Sequence, residues 1–319
     1  MTPIVLLLGP TAIGKTECAM GLQDYFGGAG HAQLISVDSA MVYRQMDIGT
    51  AKPSPAELAR YPHALIDLRD PKDAYSAADF VHDADAAVRA ARTRGQVPIL
   101  VGGTMLYARA FLAGLADLPS ADKQTRAALK AEYQSRGGEA LHAELTRMDP
   151  EAAANIDPNN EQRLLRALEV IRITARPISE LWREQRGETV VERLGGEVMT
   201  LSLEPDDRSW LHRNIEQRFA AMLAAGFLDE VQALRERGDL HLDLPSMRAV
   251  GYRQAWQYAA GELSHEQFRQ DALTATRRLA KRQLTWLRQW PRLVRITRTP
   301  TDSGLAEMTD YLDGQFRRV

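Results

Sequence analysis

Gly9-Pro10-Thr11-Ala12-Ile13-Gly14-Lys15-Thr16 has the residue types and spacing of a phosphate-gripping loop, G-x-x-x-x-G-K-S/T. The glycines let backbone N–H groups converge on phosphate oxygens. Lys15 adds a point charge, and the Thr16 hydroxyl is a ligand for Mg²⁺. The helix that should follow contributes the partial positive charge of its N-terminus. The motif says that phosphates are held. It does not say whether they belong to a nucleotide, or whether a phosphoryl group is transferred or a diphosphate discarded.

Other residues can share that site. Asp38 closes the apolar run Leu34–Val37, and Gly102-Gly103-Thr104 closes the run Pro98–Val101. In a parallel sheet both ends fall on the phosphate-loop side, where such sheets keep their chemistry. With Thr11 they would form a polar ring beside the phosphates. Two structural readings compete: Asp38-Ser39 is good turn chemistry, and Thr104 can cap the helix that follows. Cys18 has no partner cysteine, which favours packing over redox chemistry.

A guanine-reading Asn-Lys-x-Asp motif is absent from the sequence. Asp38 and Asp67 each stand where a motor-type ATPase keeps its acid, and Arg126, Arg136 and Arg163 could furnish a kinase lid. Motifs alone therefore leave a small-metabolite kinase and a non-catalytic RNA-binding ATPase switch open. Arg269 to Arg298 holds nine Lys/Arg against one acid, Asp271, with Trp286 and Trp290 interleaved. Basic charge with aromatics suits a single-stranded nucleic acid, whereas a solvated helix with core tryptophans is the structural alternative.

The elements that must position these groups are short apolar runs alternating with helices. Ile4–Leu8, Leu34–Val37, Ala64–Leu68, Pro98–Val101 and Met199–Leu203 read as buried strands. Thr16–Tyr25, Ala77–Thr93, Asp206–Ala225 and Glu266–Trp290 read as helices. The fold expected is α/β, a P-loop parallel sheet flanked by helices. Ser120–Leu194 is helical and polar and reads as an inserted all-helical subdomain, leaving 1–119 and 195–319 as the catalytic core.

Composition agrees with a globular protein of 319 residues, 45% apolar and 26% charged, with formal net charge −2. One cysteine excludes an internal disulfide, and no run approaches the roughly 20 apolar residues of a membrane helix. A cytoplasmic monomer is expected.

Seven segments then narrow the reading: "GPTAIGKT", "DSAMVYRQMDIGTAKP", "YSAADF", "VGGTMLY", "LPSAD", "QRLLRALEV" and "RAVGYRQ". In this order they resemble the tRNA dimethylallyltransferase, or tRNA isopentenyltransferase, family. The likeness runs from Pro3 to about Trp290, and the second segment is highly specific. It implies transfer of a dimethylallyl group from dimethylallyl diphosphate to N6 of adenine 37, beside the anticodon of tRNA, with Mg²⁺ as cofactor. It implies that Gly9–Thr16 grips the diphosphate, with Thr16 on the metal and Arg218 assisting, and that Asp38 is the base beside Thr104. The RNA side implied is Asp38, Ser39, Ala40 and Met41; Thr104 and Arg126; Gln162, Arg163, Leu164, Leu165 and Arg166; and Arg248, Ala249, Val250, Gly251, Tyr252 and Arg253. The partner implied is the anticodon stem-loop.

Overall fold

A computed structural model of the chain describes residues 2–115, 118–119, 122–184 and 187–316. The strands are β1 (Ile4–Leu8), β2 (Ala32–Val37), β3 (His63–Ala64), β4 (Val97–Gly102), β5 (Val198–Pro205) and β6 (Val294–Arg298). The helices are α1 (Lys15–Tyr25), α2 (Pro55–Arg60), α3 (Ala77–Thr93), α4 (Met105–Ala113), α5 (Lys123–Met148, broken at Gly137), α6 (Pro150–Ala154) and α7 (Glu161–Thr174). They continue with α8 (Ile178–Glu184), α9 (Val190–Leu194), α10 (Arg208–Ala224), α11 (Phe227–Glu236), α12 (Tyr252–Ala259), α13 (His265–Arg288) and α14 (Leu305–Phe316).

The sheet is parallel throughout, in the order β3-β2-β4-β1-β5-β6. All five residues of β1 are buried, as a strand covered on both faces requires. The chain leaves β1 to build one side of the sheet through β2 and later adds β5 on the other. The carboxyl end of β1 is therefore the switch point, and the phosphate loop sits there.

Two strand expectations change. Ala64–Leu68 shrinks to the two residues of β3, because Leu65 (φ 65°) and Asp67 (φ 57°) take left-handed backbone conformations that end pairing. An unexpected edge strand, β6, pairs with β5 through Leu201–Val294 to Pro205–Arg298. Its apolar signal is weak because an edge strand is only partly covered: Ile296 alone is fully buried.

The chain forms two compact units, residues 1–112 with 190–319, and residues 113–189. The expected first residue of the insertion, Ser120, lies outside the described residues. The second unit has its own core, in which Leu129, Leu141 and Leu145 of α5 meet Leu164 and Leu168 of α7. No helix among the described residues is long and apolar enough to cross a membrane.

Candidate active site

A cavity of about 570 Å³ opens at the carboxyl edge of the sheet, lined by residues of the first unit. Thr11, Ala12, Lys15 and Thr16 form its phosphate-loop wall. The rest of the motif serves by backbone: Ile13 is 1% exposed and packs in the core, so that side chain cannot touch a ligand. Ala12 holds φ 62° and Gly14 φ 91°, and Gly14 immediately precedes α1. The Lys15 ammonium donates to the Pro10 carbonyl at 2.6 Å. Burial, and then the Arg218 guanidinium, push Lys15 down from 10.5 to about 7, while Asp38 opposes the shift. Burial likewise lowers Arg218, again against the pull of Asp38. A guanidinium, an amine drawn towards neutrality and one carboxylate thus line a common space, and a bound anion would restore the amine's charge.

Asp38 stands where β2 ends. Its Oδ1 accepts from the Ala40 and Met41 N–H groups at 2.8 and 3.1 Å, so it does cap the turn. Among the described residues Oδ2 takes no hydrogen bond, and Asp38 lines the cavity. Thr104 faces Asp38's turn: its hydroxyl accepts from the Ser39 N–H at 3.1 Å and donates to Ser39 Oγ at 3.3 Å. Its own N–H donates to the Val37 carbonyl at 3.2 Å, so β4 and β2 are tied at their ends. Gly102 is needed for this approach, since a Cβ there would strike the Val37 backbone.

Arg248, Ala249, Val250, Gly251 and Tyr252 line the same cavity, whereas Arg253 lies exposed on α12. Met41, Tyr107, Phe219 and Phe227 give it apolar wall. The lining thus combines cationic groups that suit a compact anion, apolar side chains that suit a hydrocarbon group, and a carboxylate that can take a proton.

Arg126 and Gln162–Arg166 belong to the second unit. There Glu169, 0% exposed, accepts from Arg126 at 2.8 Å, Arg166 at 2.9 Å and the Asp122 N–H at 3.0 Å. Leu164 and Leu165 are buried, and their side chains pack in that unit's core. Consecutive helical residues point around the axis, so a five-residue stretch cannot present one face. Gln162 and Arg163 remain exposed.

The basic stretch also divides. Arg278, Lys281 and Arg282 are exposed on α13 around Trp286 and border a second small groove. Arg277 instead pairs with Glu216 of α10, and Arg298 with Glu17 of α1.

Gln283 was missed by sequence reasoning. Its Oε1 accepts from the Thr11 N–H at 2.8 Å, and its Nε2 donates to the Gly103 carbonyl at 2.9 Å. One buried amide thus ties α13 to the phosphate loop and to the end of β4. The available signal was a polar residue on the buried face of α13, between Ala280 and Leu287.

Among known proteins, a family model described as IPP transferase matches residues 41–290. The chain is 55% identical over 286 residues to the tRNA dimethylallyltransferase of Chromohalobacter salexigens, covering 90% of this chain and 89% of that one. It is 50% identical to that of Halorhodospira halophila, covering 99% of each. Among solved structures, the full-length tRNA isopentenylpyrophosphate transferase from Bacillus halodurans is similar with a TM-score of 0.70 at 35% identity, over 100% of this chain and 98% of that one. A eukaryotic dimethylallyltransferase described as acting on tRNA shares the fold, with a TM-score of 0.79 at 22% identity over 100% of this chain and 80% of that one.

Proposed function

The chain belongs to the tRNA dimethylallyltransferase family, and from that premise we propose that it moves the dimethylallyl group of dimethylallyl diphosphate to N6 of adenine 37 in tRNA, releasing diphosphate. The observation that carries this reading is the shared cavity: Lys15, Thr16, Arg218 and Asp38 all line it, and Lys15 and Arg218 are close enough to Asp38 to feel its charge.

The adenine N6 lone pair is delocalised into its ring, so the nucleophile is weak. The allylic carbon compensates, because breaking its C–O bond leaves stabilised positive charge. Catalysis must then favour the departing diphosphate. Lys15, Arg218 and the loop N–H groups supply charge and donors where negative charge grows. As the new bond forms, N6–H becomes acidic, and Asp38 Oδ2 accepts that proton while the Ala40 and Met41 N–H groups hold the carboxylate in place. The base must leave its stack to enter the cavity. An anticodon loop makes that cheap, since its bases are unpaired and splayed.

The residues fit Mg²⁺ as cofactor. Mg²⁺ usually keeps several waters and is bound by few protein ligands plus substrate phosphates rather than by an all-protein cage, so the lack of a three-ligand cluster among the described residues is no obstacle. Thr16, which lines the cavity, would hold the ion through its hydroxyl, and the ion would neutralise diphosphate charge when bound.

We place the anticodon stem-loop against the Asp38–Met41 turn and Arg248–Arg253, with Arg126, Gln162 and Arg163 of the inserted unit as further contacts. The enzyme acts as a monomer in the cytoplasm on this reading. Mass spectrometry of nuclease-digested tRNA after incubation with dimethylallyl diphosphate and Mg²⁺ tests it. The expected product carries one dimethylallyl group on adenine 37, and an anticodon stem-loop with guanine at that position should stay unmodified. Modification elsewhere in the tRNA would overturn the assignment.

A further inference from the structure

We infer that Glu230 is a positioning residue for prenyl transfer, acting on Arg218 through the loop Asp47–Thr50. The inference rests on the proposed function and deepens it.

Glu230 lies in the first turn of α11, where an acid would ordinarily be read as a complement to the helix dipole. Its carboxylate does something more specific. Oε2 accepts from the Asp47 and Ile48 N–H groups at 2.8 and 2.7 Å, and Oε1 accepts from the Gly49 N–H at 3.1 Å and from the Tyr252 hydroxyl at 2.5 Å. Three consecutive backbone N–H groups converging on one anion form a nest, the device loops use to grip phosphates. Here the anion is the protein's own side chain, and the loop is the object gripped.

The loop has little freedom left. A Cβ at Gly49 would come within 2.6 Å of the Tyr252 ring and would also strike Phe227. Thr50 donates its hydroxyl to the Met46 carbonyl at 2.8 Å, and Lys52 reaches the Tyr43 carbonyl at 3.0 Å and Asp67 at 2.6 Å. The carbonyl of Thr50 accepts from Arg218 Nη2 at 3.2 Å, and Gly49, Thr50, Tyr252 and Arg218 all line the cavity. Glu230 thus fixes the loop, the loop fixes the Thr50 carbonyl, and that carbonyl aims the guanidinium beside Lys15. The same carboxylate holds Tyr252, so the diphosphate wall and the Arg248–Tyr252 wall share one anchor.

A double-mutant cycle tests this. Glu230→Gln keeps the size of the side chain but turns one acceptor into a donor facing the nest. It should lower the single-turnover rate of prenyl transfer to tRNA roughly ten- to a hundredfold, the scale of a misplaced catalytic group. In an Arg218→Gln background the same change should cost at least severalfold less than in the wild type, the remaining loss coming from Tyr252, which the same carboxylate holds, because residues acting through one another are not additive. Equal losses in both backgrounds, or a wild-type rate for a folded Glu230→Gln, would overturn the inference. Glu230→Asp keeps the charge on a shorter stem and runs through the same cycle should Glu230→Gln fail to fold. Absence of transfer by the wild-type protein would instead refute the proposed function, so the two failures are distinguishable.

Discussion

Lys15 is drawn towards neutrality by burial and by Arg218, and a bound diphosphate should reverse this. With its ordinary value at 10.5 and its folded value at about 7, Lys15 is fully charged in both states only well below pH 7. Between those two values the unfolded chain holds a proton that the folded chain lacks, so this group's contribution to stability rises with pH across the window. Dimethylallyl diphosphate favours the ammonium. At pH 8, in metal-free buffer, its binding should therefore take up close to one proton. Calorimetry in buffers of different ionisation enthalpy reads this directly, and binding without proton uptake would contradict it. Asp38→Asn tests the other charged group. The amide oxygen can still accept from the Ala40 and Met41 N–H groups, so the turn should survive. Turnover should nonetheless fall by roughly 10²–10⁴, the range for a lost general base. A folded variant keeping more than about a tenth of the single-turnover rate would return Asp38 to a purely structural role. Lys15 and Asp38 were legible because each stands in a contiguous pattern at the end of an apolar run. Gln283 and Glu230 were not, because their partners lie far away in sequence: Glu230 is 183 positions from Asp47. Only folding makes those pairs.

At the level of elements, α13 joins two roles that its sequence mixes. Its buried face carries Gln283 to the phosphate loop, and its exposed face carries Arg278, Lys281 and Arg282 beside Trp286. Replacing Gln283 with Leu would leave the Thr11 N–H and Gly103 carbonyl without their partner, at a cost of about 1–3 kcal/mol. Denaturant unfolding should show that loss. On the other face, neutralising Arg278, Lys281 and Arg282 together should flatten the salt dependence of tRNA binding by up to about two units of log–log slope, through counterions no longer released. Arg277→Gln should change the slope less, since Arg277 is already paired with Glu216. Filter binding at several salt concentrations decides, and an unchanged slope for the triple variant would make the face a solvated surface. The central strands were legible from unbroken apolar runs. β6 was not, because only Ile296 is fully buried and its arginines read as part of the basic stretch. The end of β3 was half legible: left-handed Leu65 leaves no mark in an apolar run, but Asp67, an acid of a type that tolerates positive φ, is a signal that the pairing stops there.

At the scale of the whole molecule there are two units with separate cores: the first builds the cavity, and the second carries Arg126, Gln162 and Arg163, which are proposed as further contacts for RNA. A phosphate loop of this kind is consistent with phosphoryl transfer, with nucleotide hydrolysis or with a discarded diphosphate, and the proposed reaction requires the last of these. The direct measurement incubates the protein with unmodified tRNA, Mg²⁺ and either dimethylallyl diphosphate labelled in its allyl carbons or ATP. Label should enter the RNA with release of an equal amount of diphosphate, and ATP should be left intact. Formation of ADP with no label in the RNA would contradict the account.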